Sequence, residues 1–374
     1  MSAFRRCRVS ALCLILALQF RLPAAQNPQS AFDRVSREAA AAREQNHIPD
    51  AIRLYRQALK LRPSYFEGWW FLGELLYDQS DYAEARDALR RLVVLDPKTG
   101  PGFALLGLCE YETRDYALAL DHINTPRRLG LGDDPQARRV VLFHAVLLHT
   151  RFAQYDSALQ VLDKVLRAGA SGPTVIEAAG LAGLRRPILP EDIPPADKDL
   201  IQQAGLAVCA MVGKRPDDAR KFFADLIANH PKAPNVHYLY GSFLLLSDED
   251  AGVREFEKEI ELYPKQAEVL ATLALEYEKR GDSAKAISYA RRAVDADPRF
   301  FAAHGVLGRL LADSGEVDKG IQQLEIARRQ APDSPQVRFS LAAAYAIAGR
   351  KADAARERAE FVRLKQLADE TMGK

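Results

Sequence analysis

The sequence has few residues that could hold the chain together covalently. Only 4 of its 374 residues are cysteines, too few for disulfide bonds to hold together a fold of this length. No C-x-x-C pair occurs, which excludes the usual cysteine spacing of zinc ribbons and thioredoxin-like redox sites. Cys109 and Cys209 stand far apart in the sequence. We predict that both are small buried helix residues and that they do not form a disulfide.

An excess of charge of either sign is also lacking. The 52 lysines and arginines are nearly matched by 50 aspartates and glutamates. This near-zero net charge argues against a nucleic-acid binder, which needs a basic face to neutralise phosphates, so we expect no nucleic-acid partner. Because 48% of the residues are hydrophobic, intrinsic disorder is excluded as the main state.

The motifs of common catalytic and metal sites are missing. The chain has no His-Glu-x-x-His, no G-x-S-x-G, and neither of the glycine-rich phosphate motifs G-x-x-x-x-G-K-[ST] and G-x-G-x-x-G. Gly281-Asp282-Ser283 resembles the start of an esterase motif, but it stands where the surrounding pattern predicts a turn between two helices. We therefore predict a protein that is not an enzyme and that has no cofactor and no metal site.

The first 25 residues have the parts of a secretory signal. Three arginines precede an apolar run, residues 9–20, and the small residues Ala24 and Ala25 follow it. The run is shorter than the roughly 20 residues that cross a bilayer. We predict cleavage near Ala25 and a periplasmic or secreted protein of the cell envelope, with an uncleaved N-terminal anchor as the alternative. No later hydrophobic stretch has spanning length, so we expect no stable membrane insertion of the mature chain.

A proline recurs at intervals of about 34 residues. Pro63 and Pro97 are 34 apart, as are Pro264, Pro298 and Pro332. Each proline ends a run in which apolar residues return every three or four positions, the pattern of one helix face. Small residues also recur at fixed distances before the prolines, where they let two antiparallel helices approach closely.

The repeat resembles the tetratricopeptide family, whose unit is a helix-turn-helix of 34 residues. The best match runs from Trp69 through Leu72-Gly73 to Pro97. The resemblance covers most of the chain after the signal. The predicted units lie near 32–65, 66–99, 100–133, 139–172, 200–233, 234–266, 267–300, 301–334 and 335–368.

The resemblance implies an all-α fold, an α/α superhelical solenoid of about nine units. One hairpin cannot bury its apolar face alone, whereas stacked neighbours form a continuous core. Asp81 and Asp282 precede predicted second helices and are suited to cap them.

The period fails in the middle of the chain. Residues 173–199 contain PTVIEAAGLAGL, which can form one helix, and then four prolines within fifteen residues, which cannot form a regular helix. We expect a Pro-rich, non-repeat linker or arm between an N-terminal block, 26–172, and a C-terminal block, 200–368, with a tail at 369–374. Two interpretations stay open: a degenerate repeat that bridges the blocks, or an arm that binds a ligand.

The resemblance also implies a binding surface. In this family the first helices line a concave groove that holds an extended peptide or a partner helix, and aromatic and arginine side chains are typical interface anchors. Carried over by position within the unit, the groove residues are Trp70, Tyr77, Tyr111, Phe143, Leu147, Met211, Tyr238, Leu245, Arg309 and Phe339.

We therefore expect a non-catalytic scaffold or adaptor, exported across the inner membrane, that binds a protein or peptide partner through the concave face. One alternative is a glycan or small molecule stacked on Trp70 and Tyr77. The other is an enzyme with a site near the 173–199 arm. Its candidate residues would be Glu177, Arg185, Arg186, Glu191 and Asp192.

Overall fold

The structure, a computed structural model, describes residues 28–131 and 134–372. The predicted signal at 1–25 and the last two residues of the predicted tail lie outside the described residues. Within the described ranges the chain folds into helices and forms no strand. The predicted all-α class is confirmed.

Nine helical hairpins follow one another in the described ranges. The helices are α1 (Pro28–Glu44), α2 (Ile48–Leu61), α3 (Phe66–Asp78), α4 (Tyr82–Leu95), α5 (Gly100–Glu112), α6 (Tyr116–Asn124), α7 (Pro126–Leu129), α8 (Pro135–Arg151), α9 (Tyr155–Arg167), α10 (Pro173–Gly183), α11 (Lys198–Val212), α12 (Pro216–Asn229), α13 (Val236–Leu244), α14 (Glu249–Leu262), α15 (Ala267–Lys279), α16 (Ser283–Ala296), α17 (Phe301–Asp313), α18 (Val317–Gln330), α19 (Pro335–Ile347) and α20 (Lys351–Met372). The hairpins, here called units one to nine, are α1–α2, α3–α4, α5–α6, α8–α9, α11–α12, α13–α14, α15–α16, α17–α18 and α19–α20.

The hairpins stack as the repeat period predicts. The first helices of units two, three, seven, eight and nine begin at the residues where those units were predicted to begin. Second helices pack against the first helix of their own unit and against the helix that follows. Burial between successive hairpins therefore forms the core, as in a solenoid.

The predicted caps and close contacts are present. The Asp81 carboxylate accepts a hydrogen bond from the Glu84 amide at 3.4 Å, and Asp282 accepts one from the Lys285 amide at 3.0 Å. Gly73 lies against the second helix of its unit, where a Cβ atom would stand 2.7 Å from Leu89 Cγ. Small residues thus bring the paired helices together. Cys109 and Cys209 are buried free thiols, as predicted.

The turn inside most units contains one residue in the left-handed conformation. In units seven to nine this residue is glycine, for example Gly281 with φ +77°. In units one to five it is not glycine, for example Ala153 with φ +56°. A side chain at positive φ is strained, because its Cβ approaches the following carbonyl oxygen.

The first part of residues 173–199 is a helix, α10, and seven of its eleven residues are buried. Helix α10 packs against α11 so closely that a Cβ atom on Gly180 would lie 2.0 Å from the Ile201 carbonyl oxygen. The reverse contact, Gly205 against the Ile176 carbonyl oxygen, is equally short at 2.0 Å. The Pro-rich remainder forms two 3-10 turns, Pro190–Asp192 and Pro195–Asp197.

The apolar core continues across this segment. One cluster of buried side chains runs from Ala104 in unit three, through Leu181 and Leu184 near α10, to Phe243 in unit six. The division into an N-terminal and a C-terminal block stays a proposal, since α10 packs against α8 and α9 as well as against α11.

Candidate functional site

Three aromatic candidates stand on the first helices of units two and three. Trp70 and Tyr77 project from α3, and Tyr111 projects from α5; all three rings are half-buried. The Tyr77 ring packs edge-on against Tyr82 at 5.3 Å between centroids. Burial raises the pKa of Tyr77 to about 12, and the negative charge of Glu112 adds to the effect. Tyr77 and Glu112 are therefore neighbours although they belong to different units.

Tyr111 lies where unit three meets unit four and the Pro190–Asp192 turn. Its ring centroid is 4.7 Å from that of His144 and 5.6 Å from that of Tyr116, both edge-on. Burial raises the pKa of Tyr111, and the charge of Glu191 adds to this. Phe143 is half-buried on α8, with its ring centroid 5.7 Å from that of His144.

Two of the candidate side chains are aliphatic and pack in or against the central core. Leu147 on α8 is only 4% exposed and belongs to the central cluster of buried side chains. Met211 on α11 is half-buried and packs against the same cluster. The structure thus gives Leu147 a packing role and leaves little of its side chain for a ligand to touch.

Tyr238 lies at the junction between the middle units. The Arg185 guanidinium carbon lies 5.5 Å from the Tyr238 ring centroid and 4.7 Å from that of Tyr155, while its Nη2 is 3.5 Å from Glu268 Oε1. Arg185 therefore connects α9 with α13 and α15. Leu245 follows α13 directly and packs against the core of units six to eight.

The last two candidates lie near the C-terminal end. Arg309 forms a two-pronged ion pair with Glu278, in which Nη2 donates to Oε2 at 2.7 Å, and this hydrogen bonding raises the pKa of Arg309. Phe339 is 59% exposed, and its ring centroid lies 5.6 Å from that of Phe361. Phe339 is therefore the most accessible aromatic among the ten candidates.

The five candidates for a hidden catalytic site fall in different places. Glu177 lies half-buried on α10, and Arg186 is half-buried beside Arg185. Arg185 faces Tyr155, Tyr238 and Glu268, whereas the charges of Glu191 and Asp192 act on Tyr111. Among the described residues, no group of three potential ligands is arranged to hold a metal ion.

A recurring hydrogen bond at the unit junctions was not predicted. Six residues after the repeat proline, a side chain donates to that proline's carbonyl oxygen. The four examples are Trp69 to Pro63 at 2.9 Å, His237 to Pro231 at 2.9 Å, His304 to Pro298 at 2.9 Å and Arg338 to Pro332 at 2.8 Å. The sequence signal that would have indicated this hydrogen bond is a side-chain donor six residues after each repeat proline.

No helix in the described ranges combines the length and the apolarity that a membrane crossing requires.

Comparisons with known proteins bear on the repeats. A family model described as tetratricopeptide repeat matches residues 37–99, 271–335 and 306–360, and a second model with the same description matches 205–233. No curated protein matches the chain.

Several solved structures resemble parts of the chain. A structure of MamA from Desulfovibrio magneticus RS-1 is 18% identical, covers 46% of this chain and 97% of its own, and gives a TM-score of 0.41. Another MamA structure is 17% identical, covers 45% of this chain and 92% of its own, and gives a TM-score of 0.40. YrrB, described as a TPR protein with an unusual peptide-binding site, is 16% identical. It covers 48% of this chain and 94% of its own, with a TM-score of 0.39.

Proposed function

Since the chain is a tetratricopeptide-repeat protein, we propose that it is a non-catalytic scaffold that binds a protein or peptide partner along the face formed by its first helices. We further propose that it is exported across the inner membrane and acts in the periplasm or outside the cell. The export proposal rests on the arginines, the apolar run and the small residues within residues 1–25.

One observation supports the binding proposal above the others. Half-buried aromatic rings stand on the first helices of three successive units, at Tyr77, Tyr111 and Phe143. Such rings offer large contact areas at a small entropic cost when a partner covers the rest of their surface. Stacked hairpins hold the rings in fixed register, so an extended ligand can meet them in turn.

Site-specific photo-crosslinking in cells tests the binding proposal. A photoreactive phenylalanine analogue is placed at Tyr77 or at Phe339, and in a control at Asp87, which is 68% exposed on the second helix α4. We expect the first-helix positions to capture one defined protein that Asp87 does not capture. The captured protein is then purified and titrated against the full mature chain. Equal capture at all three positions, or no saturable binding of the purified protein, would overturn the proposal.

Cell fractionation tests the export proposal separately. We expect the protein in the periplasmic or extracellular fraction, with a mature N-terminus near Gln26 by terminal sequencing. A cytoplasmic protein that retains residues 1–25 would contradict it.

A further inference from the structure

Five carboxylates gather beside the aromatic rings of units two and three. They are Glu74 and Asp78 on α3, Glu112 at the end of α5, and Glu191 and Asp192 in the Pro190–Asp192 turn. Among the described residues, none of the five lies within 4.0 Å of a lysine, arginine or histidine nitrogen.

An acid of the same units that the fold buries is paired. The fully buried Glu110 contacts Arg90 Nη2 at 3.1 Å and His122 Nδ1 at 2.6 Å. The fold thus pairs the fully buried Glu110, whereas none of the five carboxylates has a cationic partner within 4.0 Å among the described residues, and Arg43 acts on Glu74 only from a greater distance.

Two pairs among the five acids act on each other. Burial raises the pKa of Glu74, and the neighbouring charge of Asp78 adds to it while Arg43 opposes it. Burial also raises the pKa of Glu112, and here the added charge is that of Glu191. The Arg43 guanidinium itself lies 3.6 Å from the centroid of the Phe71 ring. Asp78 and Glu112 both act on Tyr77, so the two acid pairs lie around the same ring.

The Pro190–Asp192 turn is built to hold its two acids in place. Leu189 and Ile193, which flank it, are 1% and 7% exposed in the central core. Arg151 Nη1 donates to the Pro187 carbonyl oxygen at 3.0 Å, and the Asp192 amide donates to the Leu189 carbonyl oxygen at 3.0 Å. One buried anchor on each side holds the turn in place, and the charges of Glu191 and Asp192 act on Tyr111.

We propose that the aromatic surface of Trp70, Tyr77 and Tyr111 binds a lysine- or arginine-rich segment of a protein partner, with the five unpaired carboxylates as its counter-charges. The inference rests on the proposed scaffold function and names the chemistry of its partner. Cationic side chains are attracted to the faces of aromatic rings and to carboxylates at once. Complementary charge on the two partners also speeds association and excludes partners of the wrong sign.

Fluorescence anisotropy with synthetic peptides tests the inference on the full mature chain. The probes are a labelled ten-residue peptide of alternating lysine and alanine, the same peptide with glutamate in place of lysine, and one with serine. We expect saturable binding of the lysine peptide only, weakened several-fold between about 50 and 300 mM salt because exposed charges are screened.

A matched pair of double variants locates the binding. Glu112→Gln with Glu191→Gln removes two charges from the face at nearly constant shape. Asp225→Asn with Asp295→Asn removes two charges from positions on the second helices α12 and α16. We expect the first variant to raise the Kd for the lysine peptide at least tenfold and the second to leave it within twofold.

Several outcomes would overturn the inference. These are preferred binding of the serine or glutamate peptide, no binding of the lysine peptide, or equal loss of affinity in both double variants. The scaffold proposal is judged independently by the crosslinking experiment. Capture of a defined partner at Tyr77 together with a lysine peptide that does not bind would reject the cationic chemistry alone.

Discussion

The turn of most units contains one residue at positive φ, which is strained where it has a side chain and unstrained where it is glycine. Ala153 and Gly281 both occupy the fifteenth position of their predicted units, 139–172 and 267–300, and both have positive φ. The alanine is strained there, whereas the glycine is free of the Cβ contact. The two residues therefore form a natural pair for testing the cost of the turn.

Ala153→Gly is expected to stabilise the protein. The left-handed conformation costs an L-residue roughly 1–2 kcal/mol, and the added freedom of glycine in the unfolded chain returns roughly 0.5–1 kcal/mol of this. We expect a net gain of about 1 kcal/mol in the free energy of unfolding, measured by urea denaturation. Gly281→Ala, whose Cβ would meet no atom within 4 Å, should lose a similar amount. A loss from Ala153→Gly would show that the turn strain is relieved in some other way.

His237 makes stability depend on pH. Its Nε2 donates to the Pro231 carbonyl oxygen at 2.9 Å, and its Nδ1 lies 2.6 Å from Glu255 Oε2. The hydrogen bond to Glu255 raises the pKa of His237 above its usual value, although burial opposes the shift. This stabilisation is fully present below the unfolded pKa of about 6.5 and is lost as the pH rises through the raised folded pKa.

The free energy of unfolding should therefore fall, by the contribution of this pair, as the pH rises from below about 6.5 through the raised folded pKa. Glu255→Gln keeps the hydrogen bond and reproduces the His304–Gln323 pair, in which Nδ1 lies 2.7 Å from the amide oxygen. We expect the variant to be less stable at the lower pH and to depend less on pH, measured by urea denaturation across the range. An unchanged pH profile in the variant would assign the dependence to other groups.

Among the elements, α10 and α11 form a close helix pair. Gly180 faces the Ile201 carbonyl oxygen and Gly205 faces the Ile176 carbonyl oxygen, so at these two points no side chain separates the backbones. A pattern of small residues predicts close approach, but it does not identify which helix is the partner. For that reason the sequence predicts α10 only as a possible helix within a linker, whereas it predicts α3 and α4 together with their contact.

Gly180→Ala is expected to destabilise the protein. The added methyl group would stand 2.0 Å from the Ile201 carbonyl oxygen, so α10 and α11 must separate at a cost of about 1–3 kcal/mol or more. Gly305→Ala on α17 is the control, because its methyl group would meet only Val337 Cγ2 at 3.9 Å. In a helix this change should gain about 0.5–1 kcal/mol. Thermal unfolding of both variants gives the comparison, and equal effects would refute the close contact.

The periodic segments of the chain were predictable and the contacts between units were not. The prolines and the apolar spacing determine the register of α15 to α19, because each unit obeys the same local rule. The position of Glu191 beside Tyr111 depends on how the turn after α10 folds back, and no local pattern encodes that. For the same reason the sequence indicated Leu147 as a surface residue, although neighbouring helices cover it.

At the scale of the whole molecule, Arg185 is one of the side chains that link the earlier units to the later ones. It contacts the Tyr155 ring on one side and Tyr238 and Glu268 on the other. Cation–π contacts that are shielded from water contribute about 1–2 kcal/mol. Arg186 lies next to it and is likewise half-buried, which makes it a suitable control.

Arg185→Ala is expected to reduce the cooperativity of unfolding. Both tryptophans, Trp69 and Trp70, lie in unit two, so tryptophan fluorescence reports the N-terminal units while circular dichroism reports all helices. The two urea transitions should coincide in the unmodified protein and in Arg186→Ala, and should separate in Arg185→Ala. Coincident transitions in Arg185→Ala would show that the core across α10 suffices to couple the units.

The glycine contact between α10 and α11 also bears on how such a chain can change over generations. A hairpin added or deleted at either end of the array disturbs one neighbour only. The number of units can therefore change at the ends of the array. At Gly180 and Gly205 there is no room even for a methyl group. An insertion that shifts α10 or α11 would therefore disrupt both glycine contacts together. Variation in the number of units should therefore accumulate toward the termini, while the spacing between these two glycines stays constant.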